Sequence, residues 1–285
     1  MLVKTPGSET ERAGPLVVVG MHRSGTSFVA SFLQRAGVHV GDELVGPSIG
    51  NELGHFENAR IMAFHERLLE RNGFAREGWM TDRAIEPDDA ACDEALALLA
   101  QEARPTPWGW KDPRSTFFVE FWARIEPAAT FLVLYREPAE VVASLYRRGD
   151  AVMQSHPETA ARAWFCHNAH LLRFIRKHGE RCIVANVAGV VADPHGFLRC
   201  VSARYDARVT TDAAAPYEPS MLRMQERDDP RLTLVRHFAP GVGELYAEIE
   251  RIADIPSGLE VGTPSDVSAA YFAYMRDATA SNTDS

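Results

Sequence analysis

Cysteine is scarce in this chain: Cys92, Cys166, Cys182 and Cys200 are the only four in 285 residues, and no two form a CxxC pair. That spacing excludes the common zinc-ligand patterns and makes a disulfide framework an unsuitable reading. Long apolar runs are also missing. None approaches the ~20 residues that span a bilayer, and the opening MLVKTPGSETERAG has no apolar segment of the secretory kind. The expectation is a reducing, cytoplasmic setting without a membrane span. Positive charge is in deficit, with 30 Lys and Arg against 39 Asp and Glu and a net charge of −9. A general nucleic-acid binder needs a basic surface to neutralise phosphates, so that class is excluded. A small anionic ligand is not, because a few local arginines suffice to hold one. There is no internal repeat and no low-complexity tract.

Hydrophobic residues make up 46% of the chain, enough for a substantial core. Residues 1–14 and 276–285 read as polar tails, leaving 15–275 as a single domain. Inside it, short apolar runs alternate with amphipathic stretches. Pro15–Gly20, Thr130–Tyr135 and Cys182–Val187 read as strands buried on both faces, and Trp108–Lys111 as a shorter one. Helices are expected over Thr26–Ala36, from Asn58 to Gly73, over Pro87–Ala103, Thr116–Ile125, Pro138–Arg148 and Pro157–His178, from Asp193, and over Gly241–Ala253. From about Tyr205 to Pro240 the pattern weakens. Strands alternating with helices imply a three-layer α/β/α fold around a central parallel sheet, of the P-loop nucleotide-hydrolase kind.

One segment is more specific than composition. Gly20-Met21-His22-Arg23-Ser24-Gly25-Thr26-Ser27 leaves a buried strand and opens a helix. Its glycine spacing matches the phosphate-cradling pattern G-x-x-x-x-G-K-[ST]. In such a loop backbone N–H groups converge on an anion, and the helix dipole contributes about 0.3–2 kcal/mol. Thr26 stands where nucleotide hydrolases place lysine, so a γ-phosphate would lose its main cationic contact. Arg23 supplies a cation elsewhere in the loop, and Thr26 and Ser27 add hydroxyls. A phosphate-type anion without a γ-phosphate, and without a required metal, fits this set. The plain alternative is a glycine turn that merely joins strand to helix. A second, weaker signal is Arg136, directly after the Thr130–Tyr135 strand, with Ser144 eight residues on. Strand C-termini of a parallel sheet are where such folds bind ligands, and arginine offers a fork for phosphate. A surface arginine beside an exposed serine is the competing reading.

Together these segments resemble the PAPS-dependent sulfotransferase superfamily, which uses 3′-phosphoadenosine 5′-phosphosulfate. Trp110-Lys111-Asp112-Pro113-Arg114 is similar to the K-D-P element of tyrosylprotein and bacterial sulfotransferases. Gly54-His55-Phe56-Glu57-Asn58 is similar to the GxxEN segment of bacterial members whose loop reads GMHRSGTS. The resemblance runs from about Leu16 to Arg148. It implies that Arg23, Ser24, Gly25, Thr26 and Ser27 bind the 5′-phosphosulfate and that Arg136 and Ser144 bind the 3′-phosphate; His22, in the same loop, is grouped with the cofactor-binding residues but could face either ligand or solvent. The C-terminal GxxGxWK-type segment of cytosolic aryl and steroid enzymes is lacking. Arg223, Arg227 and Arg231 could close over the cofactor, but read more simply as a solvated charged stretch.

Sulfuryl transfer asks for an acceptor oxygen in line with the leaving oxygen and for cations on the leaving side. Lys111 and Arg23 are the candidates for the latter. Deprotonation of an alcohol or phenol needs a base, and a positioned one contributes about 10²–10⁴-fold. Glu57 is the first candidate and His55 the second, while Glu57 could instead complement a helix dipole beside Asn58. Asp112 and Arg114 could pair with each other or with neighbouring loops, and Asp112 reads as structural, holding Lys111. Trp108, Trp110, Phe117, Phe118 and Trp122 read as core. Phe56 and Trp79, in loops where an exposed aromatic needs explaining, are the candidates for the acceptor pocket. The acceptor is expected to be a small molecule or carbohydrate. A kinase on the same loop architecture and a non-catalytic nucleotide-binding module remain as competing readings.

Overall fold

The computed structural model describes residues 14–46, 54–79, 85–156, 158–214 and 231–258. The expected tails at 1–13 and 276–285 lie outside these, as do Arg223 and Arg227. The elements run β1 (Leu16–Val19), α1 (Thr26–Arg35), α2 (Ala59–Arg71), α3 (Asp89–Glu102), β2 (Gly109–Lys111), a 3₁₀ turn (Pro113–Phe118), α4 (Val119–Ile125), β3 (Thr130–Tyr135), α5 (Pro138–Arg148), α6 (Ala151–Ser155) and α7 (Glu158–His178). After a second 3₁₀ turn (Gly179–Arg181) come β4 (Cys182–Asn186), α8 (Val187–Ala192), α9 (Pro194–Arg204), α10 (Arg231–Phe238) and α11 (Val242–Ile252).

The four strands form one parallel sheet in the order β2-β1-β3-β4. Nearly every strand residue is buried, which explains the continuous apolar runs: both faces must be covered. Alternate side chains feed two cores. Val17, Val19, Phe131, Val133 and Tyr135 pack on one face with helices α2, α4, α5 and α7. Leu16, Val18, Leu132, Leu134 and Ile183 pack on the other with α1 and α9. The three-layer reading is correct. Among the described residues no helix is long and apolar enough to cross a membrane.

Three local expectations are corrected. The helix expected over Thr116–Ile125 begins instead as a 3₁₀ turn, because Asp112 caps the Arg114 amide and Pro113 sets the first turn. The run Cys182–Val187 ends one residue early: Asn186 accepts from Ala188 N at 2.9 Å and turns Val187 into the start of α8. A short helix, α6, precedes the long one. The aromatic group at 108–122 is core as expected, with Trp110 and Trp122 1% and 0% exposed.

Candidate active site

The loop between β1 and α1 is curled by its glycines. Gly20 has φ 151° and Gly25 φ 81°, and Arg23 also takes a positive φ of 66°. A Cβ on Gly25 would lie 2.4 Å from a Val187 methyl, and one on Gly20 2.3 Å from the Leu134 carbonyl oxygen. Neither position can carry another residue without a shift. Gly25 is also the N-cap of α1 and offers no side-chain acceptor to the helix's first amides, so the positive end of the helix faces the loop. Ser24 is buried, and its Oγ has no partner among the described residues. Thr26 is buried at the start of α1, and Ser27 Oγ donates to the His55 carbonyl at 3.0 Å.

Arginines meet at this loop from two elements. Because β1 and β3 are neighbours, the loop after one lies beside the end of the other. Arg23 Nε donates to Ser144 Oγ at 2.9 Å, and Arg136 Nη1 reaches the Arg23 carbonyl at 3.4 Å. Arg136 Nε is held by Glu140 at 2.6 Å, and its carbonyl accepts from Trp164 Nε1 at 3.1 Å. Burial, and then the charges of Arg148, Arg136 and Arg147, push the Arg23 guanidinium down to about 10 against the pull of Asp150. Burial is the largest cause of this depression, and the neighbouring guanidinium groups add to it.

A second network lies on the other side of the loop. Lys111, at the end of β2 and 1% exposed, donates to Glu57 Oε1 and to the His55 carbonyl, both at 2.8 Å. Arg114 reaches Glu57 Oε2 at 3.4 Å, Asp112 Oδ1 at 2.9 Å and Glu66 Oε1 at 3.0 Å. Behind them His65 Nδ1 contacts Asp112 Oδ2 at 2.6 Å, and Trp122 Nε1 donates to His65 Nε2 at 2.8 Å. The indole fixes His65 as the Nδ1–H tautomer, donating to Asp112. Burial alone would raise the Asp112 pKa, but Arg114 and His65 overcome it and hold the carboxyl well below its usual range. Burial lowers the His55 pKa, Glu57 opposes, and Lys111, Arg148 and Arg23 add to the lowering.

Arg23, Ser24, Gly25, Thr26, Ser27, Arg136 and Ser144 are therefore brought together around one loop, with His55, Glu57 and Lys111 beside it. The dipole reading of Glu57 is replaced. Asn58 alone caps α2, its Oδ1 accepting from Arg60 N and Ile61 N at 3.1 and 3.2 Å, while Glu57 turns to the two cations. Asp112 is paired with Arg114, one of the two expected readings, while Lys111 is held by Glu57 and not by Asp112. Phe56 is half-buried with φ 54°. Trp79 departs from the expectation of exposure: it is 8% exposed, its ring lies 4.9 Å from that of His22, and Arg148 sits 5.2 Å over its face. Arg148 itself was missed. Its signal was legible, since it lies one helical turn beyond Ser144 and hence on the same face of α5.

A parallel sheet whose first strand opens through a glycine loop into a helix, lined with arginines but lacking the hydrolase lysine, defines a P-loop-like α/β protein. The sequence matches the Sulfotransferase family over residues 15–210, and the chain belongs to that family. Its transfer activity is accordingly that of a sulfotransferase. Among solved structures it is similar to the sulfotransferase STF9 from Mycobacterium avium, at TM-score 0.51 and 17% identity over 88% of this chain and 79% of that one, which supports the fold. Also similar are the sulfotransferase STF1 from Mycobacterium tuberculosis H37Rv (TM-score 0.49, 14% identity, 80% and 77% covered) and the sulfotransferase domain of the Synechococcus PCC 7002 olefin synthase (TM-score 0.45, 16% identity, 94% of each chain). No curated protein sequence matches the chain.

Proposed function

We propose that the chain takes the sulfuryl group of PAPS and passes it by in-line displacement to a hydroxyl or amine of a small-molecule or carbohydrate acceptor, leaving adenosine 3′,5′-bisphosphate. The observation that carries this reading is the meeting of Arg23, from the loop after β1, with Arg136, from the end of β3, and Ser144 of α5. The residues suit such a donor. Ser24 Oγ is a buried hydroxyl in want of a partner, and three further guanidinium groups, those of Arg136, Arg147 and Arg148, act on Arg23. When bound, PAPS supplies an activated sulfuryl group on a good leaving group.

In this reading the Arg23–Ser27 loop holds the 5′-phosphosulfate, with His22 at its edge, and Arg136 and Ser144 hold the 3′-phosphate. Glu140 occupies Arg136 Nε meanwhile, so 3′-phosphate binding draws on the remaining guanidinium N–H groups. Lys111 and Arg23 stabilise the leaving side. Glu57 serves as base, with His55 the alternative. Lys111 and Arg114 each hold one Glu57 oxygen and so fix the orientation of the carboxylate. Phe56 and Trp79 line the acceptor side. No metal is required, since arginine and lysine supply the charge. A kinase reading finds no lysine at Thr26.

Thermal shift tests the donor assignment. Adenosine 3′,5′-bisphosphate at about 100 times its Kd stabilises by about 2.7 kcal/mol, a rise of roughly 5–10 °C for a chain of this size. AMP should give far less, and Arg136→Ala should abolish the difference. Equal shifts from the two nucleotides in the parent protein would refute the assigned 3′-phosphate site. Glu57→Gln should keep the bisphosphate shift and lose turnover; His55→Asn doing so in its place would transfer the base to His55.

A further inference from the structure

His22 lies in the donor loop, and its ring is fixed in an informative way. Its Nε2 is 3.0 Å from the carbonyl oxygen of Glu77. A carbonyl only accepts, so Nε2 carries the proton and Nδ1 bears a lone pair. The neutral form is secured by burial and by the charges of Arg114 and Arg148, with His167 adding to the effect and the Glu77 carbonyl opposing it. Among the described residues Nδ1 has no hydrogen-bond partner, and the ring keeps partial solvent exposure.

The carbonyl that fixes the ring is itself immobilised. Three successive carbonyls of the strap at 76–78 are each taken by a different element. Arg114 Nε, from the 3₁₀ turn, holds Arg76 O at 2.8 Å; His22, from the donor loop, holds Glu77 O; His167 Nε2, from α7, holds Gly78 O at 2.9 Å. Trp79 then packs on the His22 ring, 4.9 Å between centroids. Rotation of His22 to present an N–H at the δ position would break its bond to the strap and its tilted contact with Trp79.

A lone pair suits an O–H or N–H and repels an anionic oxygen. We propose that His22 Nδ1 accepts a hydrogen bond from the acceptor's hydroxyl or amine and orients it, and that His22 is not a ligand of the donor's phosphosulfate. This deepens the sulfotransfer reading and rests on it: the loop presents its amides and Arg23 to the donor anion and its imidazole to the other substrate. The reaction brings the acceptor's X–H to the transferring sulfur, and Trp79 gives that side an aromatic wall. A phenol therefore fits it better than a charged amine, which Arg148 and Arg114 would repel.

The test uses two variants. Glutamine places its amide near the position of Nε2, so His22→Gln keeps a donor for Glu77 O and loses the δ acceptor. Asparagine places its carbonyl near Nδ1, so His22→Asn does the reverse. Bisphosphate affinity is measured by calorimetry on both variants and the parent, and transfer from PAPS is measured with 4-nitrophenol and with water as acceptors. His22 tautomer is read from ¹⁵N imidazole shifts with and without the bisphosphate. Expected are bisphosphate affinities within twofold of the parent, at least tenfold lower kcat/KM to 4-nitrophenol for His22→Gln with partial retention in His22→Asn, and a lone pair on Nδ1 that the bisphosphate leaves unchanged. A tenfold loss of bisphosphate affinity in His22→Gln, protonation of Nδ1 on nucleotide binding, or unchanged transfer in His22→Gln would each overturn the proposal. If the parent protein transfers to neither acceptor, the nucleotide-affinity and ¹⁵N results decide. A parent protein that binds no bisphosphate refutes the donor reading instead, which separates the two failures.

Discussion

His167 is fully buried, gives its Nε2 proton to Gly78, and has no partner for Nδ1 among the described residues. Burial pushes its pKa down to about 3, despite the Gly78 carbonyl. The unfolded chain takes up this proton below about pH 6.5 and the folded chain does not, so stability is full above that pH and falls as pH drops toward 3. The slope is about 1.4 kcal/mol per pH unit for one such group. Urea unfolding at pH 6.5, 5.5 and 4.5 should show that slope, added to whatever the other histidines contribute. His167→Gln, which retains a donor for Gly78, should lower it by about one proton's worth; an unaltered slope would count against a neutral buried His167. The sequence marked the helix but not this residue, because nothing in helical spacing distinguishes a histidine turned toward a strap 89 positions away. Arg23, Arg136 and Ser144 were legible for the opposite reason: each stands at a fixed offset from a strand end, and strand ends were readable.

At the scale of elements, the β1–α1 connection depends on the β4–α8 connection. Gly25 faces Val187, which stands where the sequence suggests continued strand and the structure begins a helix. Gly25→Ala faces two costs, a left-handed φ for a residue with a Cβ, roughly 1–3 kcal/mol, and the contact with Val187. Adding Val187→Ala should relieve the second and leave the first. Chemical denaturation of the single and double variants checks this: a double variant no more stable than the single would remove Val187 as the obstacle. Apolar runs and proline starts made β3 and α5 readable to the residue, since both signals are local. The 3₁₀ turn and α8 were misread because their form is set by Asp112 and Asn186 side chains returning to the backbone, a choice apolar periodicity does not record.

For the whole molecule, the fold extends beyond the segment matched to the family. Val235, Val242, Leu245, Tyr246 and Ile249 of α10 and α11 join the core shared by α5 and α7. Glu250 of α11 receives Tyr135 OH and Asn186 Nδ2, both at 2.9 Å, tying the last helix to the ends of β3 and β4. A chain ending at residue 214 would uncover this part of the core and orphan Tyr135, so it should lose cooperative unfolding and aggregate. A sharp calorimetric transition in that fragment would show that the family segment folds alone. The sequence supplied the parallel sheet but not its order, because strand neighbours are chosen by long-range packing that single runs do not encode.

That order has a further consequence. The loop with Arg23 and the guanidinium of Arg136 are carried on adjacent strands, β1 and β3, and hydrogen bonding fixes such strands about 4.8 Å apart. In the proposed donor reading, backbone pairing therefore helps to space the two groups that meet the ligand's charged ends. A change in the β1–β3 register would shift one group against the other without altering either side chain.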